Sequence, residues 1–119
     1  MANNYILFEK YVPKIKGENS WATTSPINGG LYLVEEGVVF VPDNTVLSSF
    51  SNLLSFKDRN NTAFAFNEIS KAEIGSFKHL WKMIYTLRIC LKNGEKHFFL
   101  MSGKQVADKW TCAINRRLG

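Results

Sequence analysis

The sequence predicts a mainly β domain of six or seven strands followed by a single C-terminal helix. Three stretches carry that prediction. Residues 29–42 hold two apolar runs, Leu31 to Val34 and Val38 to Val41, around the tight connector Glu35-Glu36-Gly37. Runs rich in β-branched and aromatic residues, bounded by Gly and Pro, read as a β-hairpin. Met83, Tyr85, Leu87, Ile89 and Leu91 alternate without a miss against Ile84, Thr86, Arg88, Cys90 and Lys92, as the two faces of a strand do. Finally, Val106, Trp110, Ala113, Ile114 and Leu118 fall on one face at helical spacing.

In chain order, residues 1–17 read as an N-terminal arm on the outside of the core. Ile6, Leu7, Lys10 and Tyr11 have the spacing of a short helix, which Pro13 would end. Lys10, Lys14 and Lys16 lie close together in this arm, and Gly17-Glu-Asn-Ser20 reads as a turn. Residues 21–25, Trp-Ala-Thr-Thr-Ser, are the first plausible strand, broken by Pro26 and Asn28-Gly29-Gly30 before the hairpin. In that hairpin Gly37 supplies the backbone freedom a short loop needs, and Pro42, without an N–H, ends the second strand.

From Pro42 the pattern changes. Val46, Leu47, Phe50, Leu53 and Leu54 are spaced as on a helix, although Ser48, Ser49, Ser51 and Asn52 are poor helix formers. Residues 44–55 therefore read as an insertion, a short helix in preference to a strand. Residues 62–66 alternate Phe with Ala, and Ile69 leads into Ala72-Glu-Ile74. After the strand at 83–91, Asn93-Gly94 is a strong hairpin signal, and residues 97–101 return from it. Ser102 and Gln105 have the form of a capping box opening a helix at 103–118, with Arg116 and Arg117 in its last turn, where cations suit the helix dipole.

A chain of 119 residues, 45% hydrophobic and 21% charged, is one globular domain. Its nine Phe, four Tyr and three Trp favour a β-rich core. The apolar runs are only a few residues long, far below the roughly 20 that span a bilayer. No basic region precedes a long apolar one at the N-terminus, so a secretory signal is not expected and a cytoplasmic location is. Cys90 and Cys112 form no Cys-x-x-Cys pair and have no histidine placed near them. The expectation is two reduced thiols, no metal and no cofactor. The net charge of +5 suits a negatively charged partner such as anionic lipid or nucleic acid, and equally a well-solvated surface with no partner.

Four pieces of the chain, in order, resemble the pleckstrin-homology superfold and, within it, the GRAM-like domains. Gly30-Leu-Tyr-Leu with Val39-Phe40 is similar to the signature hairpin G-x-L-Y-L-T … L-x-F, with Val34 where the family usually has Thr. Phe64-Ala-Phe-Asn-Glu-Ile69 resembles I-P-L-x-x-I. Leu87-Arg-Ile-Cys-Leu-Lys-Asn-Gly94 resembles L-x-I-x-L-x-x-G, and Phe98-Phe-Leu with Trp110 resembles the last strand and the closing helix. The resemblance covers about residues 29–118. It implies a bent seven-stranded antiparallel barrel plugged at one end by the C-terminal helix, used for binding and not for catalysis.

The residues themselves offer no catalytic constellation. His79 and His97 are the only histidines and both adjoin turns; there is no Gly-x-Ser-x-Gly elbow, and Gly29-Gly30 precedes a strand where a phosphate-binding loop would precede a helix. Binding is the better class. Lys71, Lys78, His79 and Lys82 surround one turn, interleaved with Phe77, Leu80 and Trp81. Amines beside exposed aromatic rings suit an anionic phospholipid surface; the competing reading is that Phe77 and Trp81 finish the core. Arg88, Lys92 and Lys96 would extend the positive surface along the next hairpin. The expected function is weak electrostatic association with anionic membrane lipids, as a cytoplasmic protein peripheral to the membrane. The alternative is a protein-interaction or homo-oligomerisation module using Val46, Leu47, Phe50, Leu53, Leu54 and Phe56 as its contact patch. Nucleic-acid binding, resting on charge and aromatics alone, ranks below both.

Overall fold

The computed structural model describes residues 5–43 and 62–118. The apolar insertion, with Val46, Leu47, Phe50, Leu53, Leu54 and Phe56, lies outside the described residues. The rest folds as a curled antiparallel sheet with one C-terminal helix, the architecture that the pleckstrin-homology resemblance implies. The strands are β1 (Leu7–Ile15), β2 (Ile27–Leu33), β3 (Gly37–Pro42), β4 (Thr62–Ala65), β5 (Ile69–His79), β6 (Lys82–Leu91) and β7 (Lys96–Met101), followed by α1 (Lys104–Leu118). Their order across the sheet is β4-β3-β2-β1-β7-β6-β5. Since, among the described residues, β4 and β5 stand at opposite edges without pairing, the sheet they form is a half-barrel and not a closed one.

Residues 7–15 correct the expectation of an outer arm with a short helix. They form β1, paired to β2 over most of its length and to β7 through Lys14 and Ile15. Val12 and Ile15 reach the core at 2% exposure. The register slips between Glu9 and Val12, a bulge that a strand carrying Pro13 tolerates. Residues 20–24 correct a second expectation: Ser20–Thr24 is a 3-10 helix, not a strand. Asn19 Oδ1 accepts the Ala22 N–H at 2.9 Å, and the Thr23 and Thr24 hydroxyls donate to the carbonyls of Ser20 and Trp21. Side chains that compete for local backbone groups draw such a segment away from a ladder.

The β2–β3 hairpin is as the sequence predicts. Val34 and Gly37 exchange backbone hydrogen bonds at 2.8 and 3.2 Å around Glu35-Glu36. Gly37 is required for a further reason: a Cβ there would fall on the Phe64 carbonyl oxygen of β4. Leu31, Leu33, Val38 and Phe40 point inward and are fully buried, as are Leu87, Ile89 and Phe99 from the other half of the sheet. β6 is covered on both faces, because Thr86 and Cys90 are buried too.

Helix α1 lies chiefly against β5 and fills the open side of the half-barrel. Ala107, Trp110 and Ile114 are fully buried, and the Trp110 indole N–H donates to Glu9 Oε2 at 3.3 Å. The first helical hydrogen bond runs from the Ala107 N–H to the Gly103 carbonyl, so the helix starts one residue later than a capping box on Ser102 implies.

Candidate functional site

The β5–β6 hairpin stays paired to its end, with Phe77 opposite Ile84, Lys78 opposite Met83 and His79 opposite Lys82. That leaves Leu80-Trp81 as a two-residue loop. Such loops want a positive φ at their first position and usually place Gly or Asn there. Here Leu80 takes φ 57°, at a cost of about 1–2 kcal/mol for an L-residue with a side chain. An observed backbone strain of this kind is a reason to look for function.

What the strained turn presents is apolar. Leu80 is 77% exposed and Trp81 95%, which answers the competing reading for Trp81: it does not finish the core. Phe77 is half-buried. Met83, beside the tip, is 51% exposed. Lys78 and Lys82 flank the loop and are exposed; among the described residues neither ammonium group pairs with a carboxylate. His79 is half-buried, with its Nδ1 enclosed and without a hydrogen-bond partner among the described residues. A single exposed apolar residue needs no explanation. Adjacent Leu and Trp between two unpaired lysines make an amphipathic point.

The structure therefore brings Lys78, His79, Trp81 and Lys82 together and separates them from Lys71, Arg88 and Lys92. Lys71 is seven residues back along β5, about 23 Å at strand rise, and its Nζ lies 3.0 Å from Glu73. Lys92 is exposed in the β6–β7 turn at that far end, where its N–H donates to the Glu68 carbonyl. Arg88 is committed internally. Its Nε and Nη2 donate to the two oxygens of Glu18 at 3.2 and 2.6 Å, and its Nη1 to Glu73 at 2.8 Å. The Thr86 hydroxyl adds a hydrogen bond of 2.6 Å to Glu18. Glu18 first, then Glu73, hold the guanidinium protonated still more firmly than usual. Hydrogen bonds from Lys71 and then Arg88 hold the Glu73 carboxyl down to about 2.

A concavity of about 520 Å³ lies between residues 66–68 and the β6–β7 turn, lined by Phe64, Asn67, Lys92, Glu95 and His97 among others. The His97 ring packs 4.5 Å from Phe64 and its Nε2 lies 3.3 Å from Glu95. Burial pushes this imidazole below its ordinary value, and Lys14 adds to the effect against Glu95. Cys90 and Cys112 are both free thiols, as expected, and burial pushes Cys90 upward.

Sequence reasoning passed over Trp21, which is 83% exposed, because it read residues 21–25 as a strand. It also passed over Glu18, whose partners stand about 70 residues away in the chain. Among the described residues, no three His, Cys, Asp or Glu side chains converge as metal ligands would. No helix among them is long and apolar enough to cross a membrane. No protein-family model matches the sequence, and no curated protein matches it significantly.

Proposed function

We propose that this protein is a noncatalytic binding module of the pleckstrin-homology type, GRAM-like in its strand motifs, that associates weakly with anionic membrane lipids. The observation that carries the reading is the β5–β6 tip: Leu80 and Trp81, 77% and 95% exposed, between Lys78 and Lys82, which pair with no carboxylate among the described residues. An indole and a leucine at headgroup depth gain by leaving water, and each lysine near an anionic surface contributes about 1 kcal/mol. The net charge of +5 favours approach to the same surface. In this reading Arg88 and Lys71 are structural, and the protein is cytoplasmic and peripheral at the membrane.

Cosedimentation with vesicles tests it. Binding is expected with phosphatidylserine-containing vesicles and not with neutral ones, weakening between low and physiological salt. Reversing both tip lysines, K78E/K82E, removes about 2 kcal/mol of attraction and adds repulsion, so affinity should fall by at least about thirtyfold. Vesicle binding that survives this double reversal would exclude the tip. The interaction-module alternative rests on residues outside the described structure. It is tested by light scattering, where mass rising with concentration would favour it.

A further inference from the structure

The tip is not alone at its end of the sheet. Trp21 is 83% exposed on the 3-10 helix Ser20–Thr24, and the Ser20 hydroxyl donates to the Lys78 carbonyl at 3.3 Å. Trp21 thus follows a residue bonded two positions from Leu80. It repeats the chemistry of the tip, since Trp21 and the exposed Lys16 line one shallow cleft of about 330 Å³.

The segment that carries Trp21 is fastened to the hairpin. Glu18 is enclosed, its side chain 16% exposed, and receives two hydrogen bonds from Arg88 and one from Thr86. Gly75 makes the seat, since a Cβ there would fall on the Glu18 carboxylate. A partly buried ion pair contributes little net stability after desolvation, but it fixes geometry. What it holds here is the segment that carries the exposed Trp21, whose neighbour Ser20 bonds to β5 two residues before Leu80.

We infer that Trp21 and Leu80-Trp81 enter the same anionic lipid surface as two prongs, and that Glu18 and Arg88 are positioning residues that hold the prongs in register. This rests on the membrane reading above and adds to it a second contact, with Lys16 as its cation. Two contacts on one rigid body reinforce each other because the second is made without a further loss of freedom. Removing one Trp prong should therefore weaken vesicle binding by about tenfold.

The test uses the indoles as depth probes in phosphatidylserine vesicles carrying brominated acyl chains. Trp110 is fully buried and remains as an unquenched internal control. W81F reports Trp21, and W21F reports Trp81, each at lipid concentrations where the protein pellets. Quenching in both variants is the expected result. Quenching in W21F, with W81F pelleted but unquenched, overturns the second prong and leaves the tip reading standing. A wild-type protein that does not pellet with anionic vesicles, or that instead grows in mass with its own concentration, overturns both. E18Q tests the clamp in the W81F background. It should retain a cooperative melt and lose Trp21 quenching, while E18Q in the W21F background keeps that of Trp81. Unchanged Trp21 quenching in E18Q/W81F removes Glu18 from its positioning role.

Discussion

Leu80 ties a backbone oddity to a surface property, and the two can be separated by substitution. Glycine at this position relieves the cost of the φ of 57°, about 1–2 kcal/mol, and loses about 0.5–1 kcal/mol through the freer unfolded chain. L80G should therefore fold at least as stably as the wild type, by denaturant midpoint, and bind anionic vesicles more weakly. Wild-type vesicle binding by L80G would mean that the apolar tip contributes nothing. Gly37 behaves in the opposite way. A Cβ there meets the Phe64 carbonyl oxygen of the neighbouring strand, so G37A should cost more than about 1 kcal/mol, and an unchanged midpoint would contradict the β3–β4 register. The proposed site was partly legible in the sequence. Lysines interleaved with Leu80 and Trp81 mark a basic aromatic turn, but pattern alone does not say whether the hairpin projects beyond the core or folds under it. The ion pairing of Arg88 was not legible for a definite reason: its charge is taken up by Glu18 and Glu73, and no local spacing reveals a partner 70 residues distant.

Among the elements, α1 is the one whose removal should be felt most. Trp110, Ala107 and Ile114 are fully buried, and Trp110 also donates to Glu9, so W110A leaves a cavity and removes one of the two side-chain donors to Glu9 Oε2, Lys109 being the other. It should cost about 3–5 kcal/mol, enough to remove cooperative unfolding from a marginally stable small domain. A sharp melt near the wild-type midpoint would show that the helix is not the plug. This helix, the β2–β3 hairpin and the β6–β7 hairpin were legible because each has a strong local signal: apolar periodicity, a short loop with Gly37, or Asn93-Gly94. β1 was not legible. Its two core residues, Val12 and Ile15, are three apart, its middle is bulged, and Pro13 reads as a breaker. The 3-10 helix at 20–24 was missed because Trp and Thr favour strands on average, while Asn19 and the two threonine hydroxyls bond locally here.

At the scale of the whole fold, the described residues form a sheet that curls without closing, and aromatic side chains bridge what the backbone leaves open. Phe40 from β3 meets Phe99 from β7 at 5.6 Å between ring centres, and Phe64 from β4 meets Phe99 at 6.4 Å and His97 at 4.5 Å. His97 is thus a titratable group in the seam between the two halves. Burial lowers its folded value from 6.5, so the unfolded chain takes up the proton first. Stability from this group is full above about pH 6.5, and falls as the pH drops from there to the lower folded value. Glu73 has the usual carboxylate sign in a separate range: its contribution is present above 4.5 and is lost only as the pH falls toward about 2. Urea unfolding from about pH 7.5 to about pH 5.5 therefore isolates the seam when wild type is compared with H97Q, which cannot charge there. The wild type should lose more stability across that range than the variant does. Equal slopes would mean that His97 is as easily protonated in the folded half-barrel as in the open chain, and that the seam tolerates a charge.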